Sequence, residues 1–202
     1  TMGGLGVGLY NSCDGLMAGV QLGGFIRGKD LVGLQGGVAV QSERKMTGMQ
    51  IGLCIFSTEI LSSYTTGNWR YTTSRPGHES GVQISAFYNG AGYMDGVQIS
   101  GMINDASFRM RGLQIGLVCN YVLQNGAQAH GVQIAALANA VNGEVHGVNI
   151  AAINYAGRMR GLQIGLVNMA DTLEGVQIGL LNIAAHGGIF PVMPLCNVGV
   201  KI

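Results

Sequence analysis

Residues Gly147 to Ala184 read GVNIAAINYAGRMR, then GLQIGLVNMADTLE, then GVQIGLLNIA. One cassette, G-[VL]-[QN]-I-[AG]-[AL]-x-N followed by a polar joint, is written three times with a 14-residue step. A fixed short period of this kind marks a repeat architecture. Working outward from it, further cassettes start at Gly4, Gly19, Gly33, Gly48, Gly81, Gly96, Gly112 and Gly131. A weaker copy starting at Gly67 (GNWRYTTS) would fill the long gap between Gly48 and Gly81, for twelve units in all.

The columns of the repeat carry the secondary structure. Position 2 is Val, Leu or Met, position 3 is Gln in nine units, and position 4 is Ile from Ile84 onward. Apolar residues at 2, 4 and often 6 with an amide between them give a period of two, which is strand alternation. The β-branched residues agree with that reading. An Asn closes most cassettes, as at Asn89, Asn104, Asn120, Asn139, Asn154, Asn168 and Asn182. The leading glycine suits a corner of the chain.

Charge follows the same frame. None of the first eight positions of the eleven clear units is charged, and the charges collect in the joints. Each joint therefore reads as a solvated corner. Just before the next glycine the joint runs apolar then polar, as in Met94-Asp95, Met110-Arg111, Val145-His146, Met159-Arg160 and Leu173-Glu174. The chain is expected to point inward once more there before it turns.

Composition narrows the class. Glycine is 35 of 202 residues without a G-X-Y triplet, which excludes collagen, and 48% hydrophobic residues argue against disorder. Net charge is +1, so no basic footprint for nucleic acid is present. Cys13, Cys54, Cys119 and Cys196 are far apart without a CxxC pair, and are read as free thiols. No stretch reads as a signal peptide or a transmembrane helix.

The fold class expected is all-β: a repeat β-solenoid, or β-helix, of about twelve coils of 14–16 residues, forming one repeat domain over residues 1–202. Stacking would put identical columns in register, with Val and Ile filling the inside and Gln and Asn running as amide ladders. The alternative is an antiparallel β-barrel with one strand per repeat, soluble or in a membrane. Against a membrane barrel, positions 2 to 6 span only about 13 Å, short of the ~25 Å apolar band such barrels show.

Two places break the pattern. Residues 57–80 are expected to form a degenerate coil or a surface excursion. They hold Tyr64, Trp69, Arg70, Tyr71 and Arg75, residue types that anchor binding hot spots, and these five are the candidate partner-binding residues. Residues 187–202, with Pro191 and Pro194, suit a cap on an open edge.

Catalytic signatures are missing: the sequence has no P-loop and no GxSxG elbow, and an enzyme is not expected. His130 and His146 share a column, so a solenoid would stack them about 5 Å apart. No Cys or carboxylate is in phase to complete a metal shell, and no metal or cofactor is expected.

The units GLQIGLVNMADTLE and GVQIGLLNIAAHGG, the GVQIS forms at Gly81–Ser85 and Gly96–Ser100, and the ending IFPVMPLCNVGVKI resemble a family of bacterial surface-repeat proteins of leptospiral and Bacteroidetes type. The resemblance implies a cell-surface, outer-membrane or secreted location and no catalytic activity. The function expected is that of a structural or adhesive element, with self-association through coil edges or an envelope or host surface as partner. The alternative expectation is an outer-membrane barrel with a pore or transport role.

Overall fold

The computed structural model describes the backbone of residues 1–65 and 68–200, and the side chains of residues 1–57 and 77–200. The described chain is β-strand throughout, apart from short bends and turns, and wound into a parallel solenoid. The strands are β1 (Met2–Thr65), β2 (Asn68–Pro76), β3 (His78–Ser100), β4 (Ile103–Gly116), β5 (Cys119–Ala135), β6 (Ala138–Ile150), β7 (Ile153–Ile164), β8 (Val167–His186) and β9 (Val192–Val198). The first of these winds through four cassette starts, Gly4, Gly19, Gly33 and Gly48.

Register is set by the cassette. Gly96 pairs with Gly112, Gly112 with Gly131, Gly131 with Gly147, Gly147 with Gly161 and Gly161 with Gly175, each with parallel neighbours on both sides. These glycines need to be glycine for two reasons. Ten of the eleven lie at positive φ, from 89° at Gly4 to 149° at Gly147. In addition, a Cβ on each from Gly19 onward would strike the carbonyl oxygen of the glycine one coil earlier. The corner is thus a column of backbone packed on backbone, open only to the residue without a side chain.

Eleven stacked glycines among the described residues give one coil fewer than the twelve expected. The unit expected at Gly67 is not interposed, because Gly48 pairs directly with Gly81 and Gln50 with Gln83. The antiparallel barrel is excluded on the same ground, since successive coils pair in parallel. At the C-terminal end β9 reverses and lies antiparallel on β8, with Val198 opposite Val176 and Val192 opposite Ile183.

The inside of the stack is a correction to the expectation from sequence. Alternation is as read, but the amides face inward and the Val and Ile columns face outward. Gln83, Gln98, Gln114, Gln163 and Gln177 are fully buried, as are Asn89, Asn104, Asn120, Asn154, Asn168 and Asn182. Ile51 and Ile178 of position 4 are 43% and 45% exposed. Small residues at position 5, such as Ser85, Ser100, Ala135 and Ala151, also point in and leave room for the amides.

Two ladders explain how an amide interior holds together. Asn89, Asn104, Asn120, Asn139, Asn154, Asn168 and Asn182 form one chain, each Nδ2 donating to the Oδ1 of the next at 2.8–3.1 Å. The second amide hydrogen of most rungs goes to the backbone carbonyl of the position-4 residue one coil on, as from Asn154 to Ile164 at 2.9 Å. Gln133, Gln114, Gln98, Gln83 and Gln50 form a second chain that donates the opposite way, toward the N-terminus. A buried amide is costly only when unpaired, and stacking identical residues supplies each with its partner. The Gln chain breaks at Asn149, one methylene shorter, whose side-chain atoms have no partner among the described residues.

Apolar packing fills the other half of the interior. The residue two before each glycine points in, as read from sequence, giving Met94, Met110, Ala129, Val145, Met159 and Leu173. The residue two after each Asn faces it: Ala91, Ala106, Val122, Val141, Ala156, Ala170 and Ala184. In the N-terminal coils the two columns exchange character. Ile26, Val40 and Ile55 occupy the Asn position there, and Ser42 and Ser57 occupy the position two further on.

Candidate partner-binding surface

Three features stand out from the repeat: the excursion at residues 58–76, a buried carboxyl at its base, and the charged strip formed by the joints.

The excursion is an antiparallel hairpin. The end of β1 pairs with β2, Thr58 opposite Pro76, Ser62 opposite Tyr71, Ser63 opposite Arg70, Tyr64 opposite Trp69 and Thr65 opposite Asn68, with a bulge between Glu59 and Ile60. The backbone therefore brings Tyr64, Trp69, Arg70 and Tyr71 to adjacent rungs, with Arg75 nearer the base, opposite Glu59. The side chains of these five candidates lie outside the described residues.

Glu79 closes the base of the hairpin. It stands in the inward column filled by Met46 one coil earlier, and it is 1% exposed. Ser42 donates its hydroxyl to Glu79 Oε1 at 2.7 Å, and Ser57 donates to the same oxygen. Glu79 Oε2 has no hydrogen-bond partner among the described residues. Burial pushes the carboxyl up to about 7, against the opposing pull of the two serine hydroxyls. Glu79 is not among the candidate residues read from the sequence. Its signal is a carboxylate in a joint column that is otherwise apolar.

Outside the same coils runs a groove of about 690 Å³, lined by Leu16, Asp30, Val32, Arg44, Lys45, Thr47, His78, Ser80 and Asp95 among others. Arg44 pairs with Asp30 across coils and holds its carboxyl below the ordinary range, chiefly by hydrogen bonding. His78 stacks on Tyr93 at 4.4 Å between centroids, Tyr93 stacks on Phe108 at 5.5 Å, and the Arg109 guanidinium lies 5.4 Å over Tyr93.

The charged strip continues toward the C-terminus. Arg160 bonds Glu174 at 2.7 Å, Arg158 bonds Glu144 at 3.0 Å and Arg109 bonds Asp95 at 3.2 Å. His130 and His146 stack with ring centroids 4.8 Å apart, the spacing that their shared column requires. Burial first, then the neighbouring His146 and arginines, lower the basicity of His130. Among the described residues no group of three or more His, Cys, Asp or Glu converges on a metal position. The four thiols are free: Cys119 is buried, Cys13 and Cys54 are half-buried, and Cys196 is exposed.

Comparison with protein-family models, with curated proteins and with solved structures finds no match to this chain.

Proposed function

We propose that this chain is a non-enzymatic structural and adhesive element of a bacterial surface: a rod that carries the 58–76 hairpin as its contact arm. The observation that carries the reading is the pairing of Gly48 with Gly81 beneath the hairpin. The stack passes directly from Gly48 to Gly81, so residues 58–76 lie outside the coil register. Segments supported by a rigid scaffold but unnecessary to it are where binding residues concentrate. The sequence of this one, with a Trp, two Tyr and two Arg in 12 residues (64–75), has the composition of a binding hot spot. The resemblance to surface-repeat proteins points to the same location.

The test separates arm from rod. Trp69→Ala with Tyr71→Ala should abolish binding of the chain to lipid-free surface proteins extracted from bacterial or host cells and leave the circular dichroism and melting temperature of the rod unchanged. A variant in which a two-residue link replaces residues 58–76 should behave the same way. Undiminished binding by both variants would overturn the adhesive reading.

A further inference from the structure

The inverted packing leaves an apolar outer face along the stack. From position 2 to the residues beside the Asn, nearly every outward side chain is aliphatic or aromatic, coil after coil. The chain bends near positions 5 to 7, and large apolar residues sit on that convex edge. Leu117 is 67% exposed, Leu137 58%, Leu166 56% and Leu180 67%. Exposed apolar surface on this scale marks a contact surface. At ~4.8 Å per coil the eleven coils make it about 50 Å long.

We infer that this ridge is seated in one leaflet of a lipid bilayer, with acyl chains against the apolar columns and the charged joint columns left in water. Four observations favour lipid over a second copy of the chain. First, the face carries no charge in any of the eleven clear cassettes, whereas protein interfaces have polar rims and Arg or Trp anchors. Second, the face is a convex ridge. Two such ridges would meet along a line and leave their flanks bare, while a fluid leaflet conforms to both flanks. Third, the backbone groups of the ridge bond along the stack to the coils before and after, for example Leu166 N–H to the Ala152 carbonyl at 2.9 Å and Leu181 N–H to the Leu166 carbonyl at 2.9 Å. A surface with its peptide groups satisfied internally can enter hydrocarbon. Fourth, the border is amphipathic. Tyr155 stands where the apolar columns end, and its exposed hydroxyl donates to Asp171 at 3.3 Å. Tyrosine with one end apolar and one end wet is the residue of a membrane–water boundary. Seating to a depth of about 5–10 Å, usual for interfacial elements, would take in the ridge and leave the joints outside.

The experiment is flotation of the full chain with vesicles of zwitterionic phosphatidylcholine at low and high salt. The chain should float with the vesicles at both, because the face is uncharged. The combined variant Leu117→Ser, Leu137→Ser, Leu166→Ser and Leu180→Ser should keep its circular dichroism and lose partitioning by about tenfold or more. If that variant fails to fold, single reporters answer instead. In a Trp69→Phe background, Leu166→Trp should be quenched by lipids brominated in their acyl chains, and Thr172→Trp in the joint should not. Wild-type chain that stays with the lipid-free fraction would overturn the inference, as would equal quenching at the two positions. So would a lipid-free dimer that the serine variant dissolves while neither protein floats, which would make the ridge a contact between copies. Trp69→Ala with Tyr71→Ala should leave flotation unchanged, so the hairpin and the ridge fail or stand separately.

Discussion

Gly48 and Gly81 lie side by side in the corner column although 33 residues separate them, and a Cβ on Gly81 would strike the Gly48 carbonyl oxygen. Gly81 also sits at φ 135°. The conformational and steric costs therefore add at this position. Gly81→Ala should destabilise the chain by more than about 2 kcal/mol, since the left-handed backbone alone costs roughly 1–2 kcal/mol for a residue with a Cβ. Gly126 has φ 75° but nothing within 4 Å of its Cβ position. Gly126→Ala should show only the conformational share, about 1 kcal/mol. Urea titration of the two variants measures the difference. Equal losses would mean that the close approach in the corner column is unimportant.

The amide ladders give opposite predictions for two asparagines five residues apart. Asn154 accepts from Asn139 and donates to Asn168 Oδ1 and to the Ile164 carbonyl. Asn154→Leu would fit the space in an apolar sense, yet it strands those three groups in the interior. With about 1–3 kcal/mol for each buried group left unpaired, the loss should exceed about 3 kcal/mol. Asn149 bonds nothing among the described residues with its side chain. Asn149→Gln restores the missing methylene and links Gln133 to Gln163, and should stabilise by about 1 kcal/mol. Thermal melts of both proteins check the pair of signs.

Glu79 makes stability fall as pH rises. Its carboxyl moves from 4.5, its ordinary value, to about 7 in the folded chain, so the folded state holds the proton more tightly than the unfolded one. Between pH 4.5 and about 7 the unfolded chain binds fewer protons, and stability declines across that window. The loss is about 3 kcal/mol at full ionisation. Asp105, raised by burial against the bond from Tyr88, adds in the same direction. Asp30, lowered by Arg44, works in the opposite sense, but only at acid pH below the ordinary carboxylate range. Glu79→Gln retains an acceptor for Ser42 and Ser57. It should match the parent at pH 5 and exceed it at pH 8, measured by urea titration at the two values. A stability difference between the parent and Glu79→Gln that is the same at pH 5 and pH 8 would contradict the burial of an ionisable group at this joint.

Much of the fold was legible in the sequence because the repeat writes its own register. The shared column of His130 and His146, the inward turn of Met110 and Met159, and the Arg160–Glu174 contact between successive coils all follow from counting residues from one glycine to the next. The sidedness was not legible. Alternation says that Ile164 and Gln163 face opposite ways, and it does not say which faces in. The usual preference puts Ile inside. Here that preference is overruled by stacking: Gln and Asn next to their own kind satisfy one another, which no single coil could reveal. The hairpin was misread in part because GNWRYTTS begins with a glycine, and only the pairing of Gly48 with Gly81 shows that the coil count skips it. Glu79 was visible as an off-pattern residue in the column of Met94 and Met110, but its serine partners come from the coil before (Ser42) and from the far side of the hairpin in its own coil (Ser57).

Each coil is addressed only by the coil before and the coil after, through the same glycine backbone contact and, in most coils from Gly81 on, the same two amides. Length is therefore not fixed by any closed core. Duplicating one 14-residue cassette, such as Gly161–Glu174, would add a rung about 4.8 Å thick and leave every other rung with the neighbours it already has. Such a gene can lengthen or shorten its product by whole cassettes, while extra residues that are not a full cassette are taken up in the joints, as the 58–76 hairpin is between Gly48 and Gly81.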